Sequence, residues 1–503
     1  MKKYILIVSV LSLALGACKK TYLNQEINPN APSTTTPQFT LSAAENTAAA
    51  ITANDYTEYG VWAGYWTNSG NYTPSTELAQ FSFSTTDFPG PDCWDDLYSN
   101  LANINLLQSS TQGTAGLSNF TAIALILKAY DFQQLVDNFN NVPYTQAFQP
   151  SKFLFPQYDN GQDIYNDLVK QLDAAISLIQ KNPGATNPGS SDIIYGGVMS
   201  NWAKFANTMK LRLAIRQSNL STKAAKDALA STAAIGYIDN KTEADAQPGY
   251  SNTAGKENPF YGNFGFDATG NTTFPYLFYR ANQVDTDIMH QLNDPRGHYY
   301  YGVVPPAAGS PLLVVRGNQL GNKNNASNSN TSPIGPGLLK SPSQPSPVFS
   351  SYESYFLQAE AALRGWIPGD PATLYAAGIA ASFNAVGCPG AAAYATQAQV
   401  AYPTSVPDGS PVGTTLFQLQ LQAIITQKYI SLNGLFNNEA YTEFKRTGYP
   451  ALPQNPASAD PNALSGTLPT RLPYPSSELT NNGAVLAKQG TINPLTDKVF
   501  WDK

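Results

Sequence analysis

Two histidines, His290 and His298, stand in a chain of 503 residues. That leaves little material for a Ser-His-Asp relay or a histidine-ligated metal. No G-x-S-x-G, H-E-x-x-H or phosphate-loop motif occurs, and no Cys/His cluster has zinc spacing. Paired carboxylates of the glycosidase kind are defined by separation in space, so sequence leaves them open. The residues point to no metal ligands and no cofactor, and a structural calcium has no sequence signature here. Two kinds of chemistry remain. One is a thiol: Leu15, Gly16 and Ala17 lead into Cys18, after Lys2, Lys3 and an apolar run over 4–15. The run is shorter than the ~20 residues a membrane-spanning helix needs. A charged start, a short apolar middle and a small-residue exit mark a secretory leader. With Cys next in line they read as a bacterial lipobox, cut after residue 17, with lipid joined to Cys18. An ordinary leader followed by an incidental Cys is the alternative.

The other is aromatic. Trp62, Trp66 and Tyr72 lie in a Gly- and Asn-rich segment with Asn68 and Asn71. Sugar rings offer C–H faces to aromatic rings and hydroxyls to polar tips. These five residues are the leading ligand candidates, and a plug between this segment and the core is the competing reading. A second candidate is DPRGHYYYG (294–302). In a strand, Tyr299 and Tyr301 would share a face beside the Arg296 turn; loop packing is the alternative. Trp94 and Trp202 sit among Leu and Phe at helical spacing and read as core. In RLPYPSSE (471–478) Pro473 and Pro475 hold the chain extended. Arg471 and Glu478, flanking Tyr474, read as a structural latch to Arg446 or Glu443.

The net charge of −6 excludes a chain built to follow a phosphate backbone. Charged residues are 13%, against about 25% in ordinary domains. Asn, Ser, Thr, Gln and 29 Tyr take their place, a surface suited to uncharged, hydroxyl-rich ligands. Cys93 and Cys388 are left to pair or to stay as two buried thiols.

The elements that must position these groups are mostly helices. After a leader (1–17) and a tether (18–36), a single domain is expected over 37–503. Its first helix starts at Thr36-Pro37, a hydroxyl N-cap followed by proline. Helical repeats are expected at about 92–235 (92–109 with 118–137, then 161–181 with 196–217) and at about 350–447 (350–365 with 370–386, then 414–431 with 435–447). A loop-rich insert over about 236–348 separates them, without regular helix, with strands at 299–304 and 312–316 and a mobile stretch at 322–337. A strand is also expected at 80–86. The fold class is mainly α: four tetratricopeptide-like helix pairs, a loop-rich variable face and a few short strands.

Several segments in order are similar to the SusD/RagB family of outer-membrane lipoproteins, nearest its starch-binding-like subgroup. They are the lipobox at Cys18, NQEINPN (24–30), the Trp94–Leu107 helix, VPYTQAF (142–148), SYFLQAEAALRGW (354–366), EAYTEFKRTGYP (439–450), RLPYPSSELTNN (471–482) and the terminal KVFWD. The resemblance implies a right-handed scaffold of paired helices and a lipid-anchored, surface-exposed position on the outer membrane. It implies a SusC-like TonB-dependent transporter as partner, on which the protein sits as a lid, passing on captured oligosaccharide, and it implies a non-enzymatic, glycan-binding role. A peptide ligand, as in RagB-like members, or a helical scaffold without small ligand, are the alternatives.

Overall fold

A computed structural model describes residues 35–73, 92–220, 222–305, 313–322, 324–452 and 468–502. The leader, Cys18, most of the tether and the expected strand at 80–86 lie outside the described residues. The long helices are α1 (Pro37–Asn54), α2 (Asp92–Thr111), α3 (Ser118–Phe139), α4 (Gly161–Lys181), α5 (Met199–Arg216), α6 (Ser351–Leu363), α7 (Pro371–Val386), α8 (Leu416–Leu432) and α9 (Asn437–Thr447). Their ends follow from capping chemistry. The Asn160 side chain accepts from the amides of Gln162 and Asp163 at the head of α4. Asp370 caps α7 ahead of Pro371, and Gly387 closes it in the left-handed region. Thr415 and Gln418 form a reciprocal capping box on α8.

These helices stack as pairs, α2 on α3 and α4 on α5, then α6 on α7 and α8 on α9; α5 touches α6 and joins the two groups. The fold is mainly helical, with paired helices and few short strands, as the periodicity predicts. α4 is the ordinary case, with Ile164, Leu168, Leu172, Ala175 and Ile176 buried at three- and four-residue spacing. α3 is buried on every face, because α2, α4 and α5 enclose it.

The insert differs from expectation. It carries helices at Pro259–Phe264, Phe274–Phe278, Gln283–Gln291 and Gly297–Tyr300. The side chains of Asn258, Thr273 and Asn282 cap the first three, and segments this short show no periodic face in sequence. The strands expected at 299–304 and 312–316 reduce, among the described residues, to isolated bridges, Val304 with Val314 and Tyr301 with Ile334. Over 324–337 the stretch expected to be mobile is tied to residues 70 and 71: Gly70 N donates to Ala326 O at 2.9 Å and Asn328 N to Asn71 Oδ1 at 2.8 Å. Gly70 is required there, because a Cβ would lie 1.9 Å from the Asn325 carbonyl oxygen.

A buried charge network crosses the helical core. Arg212 on α5 grips Glu353 on α6 at 2.7 Å. Arg216, one turn on, meets Asp137 of α3 at 3.2 Å, Glu443 of α9 at 2.6 Å, and Glu439. Arg446 closes the far side on Glu360 at 2.6 Å and on Glu443. Lys428 of α8 lies 3.5 Å from Glu443. Burial alone would raise the Glu439 carboxyl, but Arg212, Arg216 and Lys428 hold it down at about 2.

The proline-rich latch takes other partners than those expected. Arg446 is already filled by Glu360 and Glu443. Arg471 donates instead to the carbonyl of Phe139, and the Tyr474 hydroxyl donates to the carbonyls of Phe139 at 3.2 Å and Asn141 at 2.8 Å. Glu478 accepts from the hydroxyl of Tyr158. The segment thus closes the C-terminal end of α3, whose last carbonyls lack helical donors. Cys93 and Cys388 are both buried thiols.

One buried carboxyl outside the network sets a pH dependence. Asp131, within α3, accepts from Asn100 Nδ2 at 2.9 Å through Oδ2, while Oδ1 has no partner. Burial pushes its carboxyl up to about 8, and the Asn100 bond only partly offsets this. The folded chain therefore keeps a proton that the unfolded chain has released above pH ~4. This contribution is full below that value and is lost as pH rises toward 8. Asp131→Asn is expected to match the parent in urea denaturation only at about pH 4 and below, and to gain on it steadily above that. At pH 9 it is expected to be the more stable by about 2 kcal/mol or more, at ~1.4 kcal/mol per unit of displacement. Parallel stability curves from pH 5 to 9 would contradict this.

Candidate functional site

The candidate site is built on a two-stranded antiparallel ribbon between segments far apart in the chain. Trp66–Asn68 pairs with Tyr279–Ala281, Trp66 opposite Ala281 and Asn68 opposite Tyr279. Trp66 points inward and is 1% exposed, packed on Phe264 at 5.1 Å and Tyr279 at 5.7 Å. Beyond the ribbon the chain turns: Ser69 N donates to Phe278 O at 2.8 Å, and Asn68 Nδ2 to Tyr72 O at 2.9 Å. These bonds place Tyr72 against the helical turn Phe274–Phe278, which starts with proline behind the Thr273 cap.

The result is an aromatic ledge on the insert face. The Tyr72 ring meets Phe274 edge-on at 5.4 Å and Phe278 at 5.6 Å, and the two phenylalanines are 5.6 Å apart. Phe274 is 62% exposed, a large cost in apolar surface for a residue with only structural duty. Polar groups edge the ledge. Asn71, exposed, accepts from the amide of Asn328. Asn328 Oδ1 accepts from Arg280 Nε at 3.2 Å, and the Arg280 guanidinium lies 5.8 Å over the Tyr276 ring. Arg280 itself is 3% exposed, and burial holds its guanidinium below its usual range, so it braces Asn328 from beneath. A row of rings beside amide groups can stack a flat, hydroxyl-bearing ligand and hold its hydroxyls. Nothing in it supplies an acid–base pair.

The residues singled out from sequence divide. Asn71 and Tyr72 form part of this ledge. Asn68 is buried and braces the Tyr72 turn. Trp62 is 2% exposed, edge-on to Tyr59 at 5.4 Å and 5.8 Å from Tyr441, so it offers no face to a ligand; nor does Trp66. The competing core reading holds for both tryptophans.

Arg296, Tyr299 and Tyr301 lie elsewhere. Residues 297–300 form a helical turn, so Tyr299 and Tyr301 do not share a strand face. Tyr301 is fully buried, its hydroxyl donating to Asp285 Oδ2 at 2.6 Å. Arg296 is fully buried and paired with Asp294. Tyr299 is half-buried under Gly337, whose amide donates to the Tyr299 carbonyl. The sequence reading missed Phe274, Phe278, Arg280 and Asn328. The available signal was FPYLFY (274–279), four aromatic residues in six. Among the described residues no group of three or more His, Cys, Asp or Glu side chains could hold a metal, and no helix is long and apolar enough to cross a membrane.

Comparison with known proteins bears on this geometry. Residues 29–475 match the model of the SusD-like family described as starch-binding and associating with the outer membrane. Among solved structures, the chain is similar to a chitin-binding protein, at 25% identity and TM-score 0.70, over 93% of this chain and all of that one. It is also similar to a chitin-binding SusD homologue from Flavobacterium johnsoniae, at 23% identity and TM-score 0.74, over 92% and 98% of the two chains. A SusD homologue from Bacteroides uniformis aligns at 23% identity and TM-score 0.70, over 92% and 99%. No functionally curated protein matches the chain.

Proposed function

Because the chain belongs to the SusD-like family of starch-binding-type proteins associated with the outer membrane, we propose that it is a glycan-binding protein that captures oligosaccharide on the ledge of Tyr72, Phe274 and Phe278. The single observation behind the choice of site is the exposure of Phe274 within a packed aromatic row. Stacking would supply the affinity. Asn71 and Asn328 would select for hydroxyl geometry, with the buried Arg280 holding Asn328 in place, and the protein would bind without cleaving. The chitin-binding relatives of the same fold support a β-linked amino-sugar polymer beside starch as the ligand class.

The expected leader and the family's association with the outer membrane support a wider setting. Lipid on Cys18 would anchor the chain at the cell surface. A SusC-like TonB-dependent barrel beneath it would receive the captured sugar, with this protein as its lid. RagB-like peptide capture remains the competing ligand reading.

Calorimetric titration with chitin- and starch-derived oligosaccharides tests the site. The parent should bind one series without releasing new reducing ends. Tyr72→Ala with Phe274→Ala should weaken that binding tenfold or more, about 1.4 kcal/mol, with an unchanged circular dichroism spectrum. Undiminished affinity in the double variant would remove the ledge from the site, and binding of short peptides alone would favour the RagB-like reading.

A further inference from the structure

A second opening lies at the far end of the insert helix Gln283–Gln291, away from the ledge. That helix, α8 and the loop after the short helix Ala391–Ala395 bound it. The insert helix starts one residue beyond the ribbon strand Tyr279–Ala281, at its Asn282 cap. Its nine residues, at ~1.5 Å rise each, set the cleft rim roughly 13 Å from the ribbon. The cleft holds about 540 Å³, within the ~300–1,000 Å³ span of ligand sites.

Hydrogen bonds fix its shape. The Tyr375 hydroxyl of α7 donates to the Val400 carbonyl at 2.6 Å, and Gln420 Nε2 of α8 donates to the Pro403 carbonyl at 3.0 Å. Gln399 Nε2 reaches back to the Leu292 carbonyl at 3.4 Å. The loop is thus pinned to α7, α8 and the insert, and the cleft between them is already formed. Gln427 in the lining is spent: Oε1 accepts from Arg296 Nη2 at 2.7 Å and Nε2 donates to the Tyr394 hydroxyl at 2.9 Å.

The lining is uncharged. Among the described residues that form it there is no Lys, Arg, His, Asp or Glu. Ile288, Leu419 and Ala423 make one apolar wall, and Val400, Pro403 and Pro407 the other. Gln291 on the insert and Gln422 on α8 also line the cleft; both are exposed, and their side chains hydrogen-bond to no described residue. Each free amide offers an acceptor oxygen and two donor hydrogens, which suits hydroxyls that both donate and accept. A ligand charge would enter without a counter-charge, which disfavours metal ions, phosphates and free amino acids. An extended peptide would find no strand edge in the lining for its backbone.

We infer that this cleft is a second glycan subsite, separate from the aromatic ledge. It takes an uncharged oligosaccharide between Gln291 and Gln422, with the sugar C–H faces on the proline and aliphatic walls. The inference rests on the glycan-binding reading of the chain and adds a place to it.

Maltotriose, triacetylchitotriose and an alanine tripeptide blocked at both ends serve as probes, in calorimetric titrations of the whole chain. In the Tyr72→Ala, Phe274→Ala variant one trisaccharide should still bind, at one site per chain. Adding Gln291→Ala and Gln422→Ala should weaken that residual binding tenfold or more at an unchanged melting temperature, because both side chains are exposed. In the parent, the two glutamine changes should lower the stoichiometry from two to one. Loss of all trisaccharide binding in the ledge variant, or residual binding that survives the glutamine changes, would overturn the assignment. So would glutamine-dependent binding of the tripeptide in place of sugar. Full parent affinity in the ledge variant, abolished by the glutamine changes, would put the sugar in the cleft alone, so the ledge would fail and the cleft would stand.

Discussion

Arg216→Met is expected to cost the fold about 3–5 kcal/mol in urea denaturation at pH 7, the penalty for removing one partner of a buried ion pair. The side chain is 1% exposed, and Asp137, Glu439 and Glu443 converge on it with side chains exposed by 6% or less. Methionine fills most of the volume but leaves those carboxylates facing one another, with Arg212, Lys428 and Arg446 at their outer edges. Uptake of a proton by one of them would offset the lost charge, so the variant should recover part of its stability as pH falls toward 5, beyond what the parent gains from Asp137, whose carboxyl burial already holds above its usual range. Glu439 in the parent runs the other way. Held at about 2, it contributes stability above the ordinary carboxylate range and loses it only as pH falls through its folded value. Arg216→Lys keeps the charge but not the planar fork that serves three carboxylates, and an intermediate loss is expected. A loss below about 0.5 kcal/mol for Arg216→Met would mean that the network is solvated and carries little of the fold.

This network was legible in spacing and was read past. Arg212 and Arg216 are four apart on α5, Glu439 and Glu443 four apart on α9, and Glu353 and Glu360 seven apart on α6. Each pair falls on one helical face. Charges at helical spacing are usually solvated, and only the stacking of α3, α5, α6, α8 and α9 turns these faces toward one another. Helix starts were easier, because their signals are local: Pro37 opens α1 although the Thr36 hydroxyl makes no cap bond, and the helix expected from 350 starts behind Ser350, whose side chain accepts from the Glu353 amide.

The site was legible only in part, for a related reason. A strand of three residues cannot show a period of two, and Trp66–Asn68 finds its partner more than 200 positions away. Aromatic density at 62–72 marked the right segment but could not separate the buried Trp62 and Trp66 from the outward Tyr72. That division depends on Phe260, Phe264 and Tyr279 arriving from the insert to close over Trp66. The same limit applied at 294–302. A strand and a helical turn differ there by one hydrogen bond per residue, and the bonds from Tyr300 N to Arg296 O and from Tyr301 N to Gly297 O chose the turn.

The corrected place of Arg296 yields the second large effect. As a ligand contact, its replacement would weaken binding and spare the fold. The structure predicts the reverse. The guanidinium is fully buried, pairs with a buried Asp294, and donates to Ser382 Oγ at 2.8 Å, Ser431 Oγ at 3.2 Å and Gln427 Oε1 at 2.7 Å. It also lies 4.9 Å from the Phe383 ring centre and 5.3 Å from that of Tyr394. It thus ties the insert to α7, α8 and the short helix Ala391–Ala395, where the Tyr300 hydroxyl also lies 3.2 Å from Ser382 Oγ. Arg296→Met should leave Asp294 as an unpaired buried charge and cost about 3–5 kcal/mol, read as a lower urea midpoint. Below that midpoint, oligosaccharide affinity at the ledge should stay within twofold of the parent, because Tyr72, Phe274 and Phe278 rest on the other ribbon. A variant that keeps its midpoint and loses the sugar would return Arg296 to the binding site and break the separation between insert core and ledge.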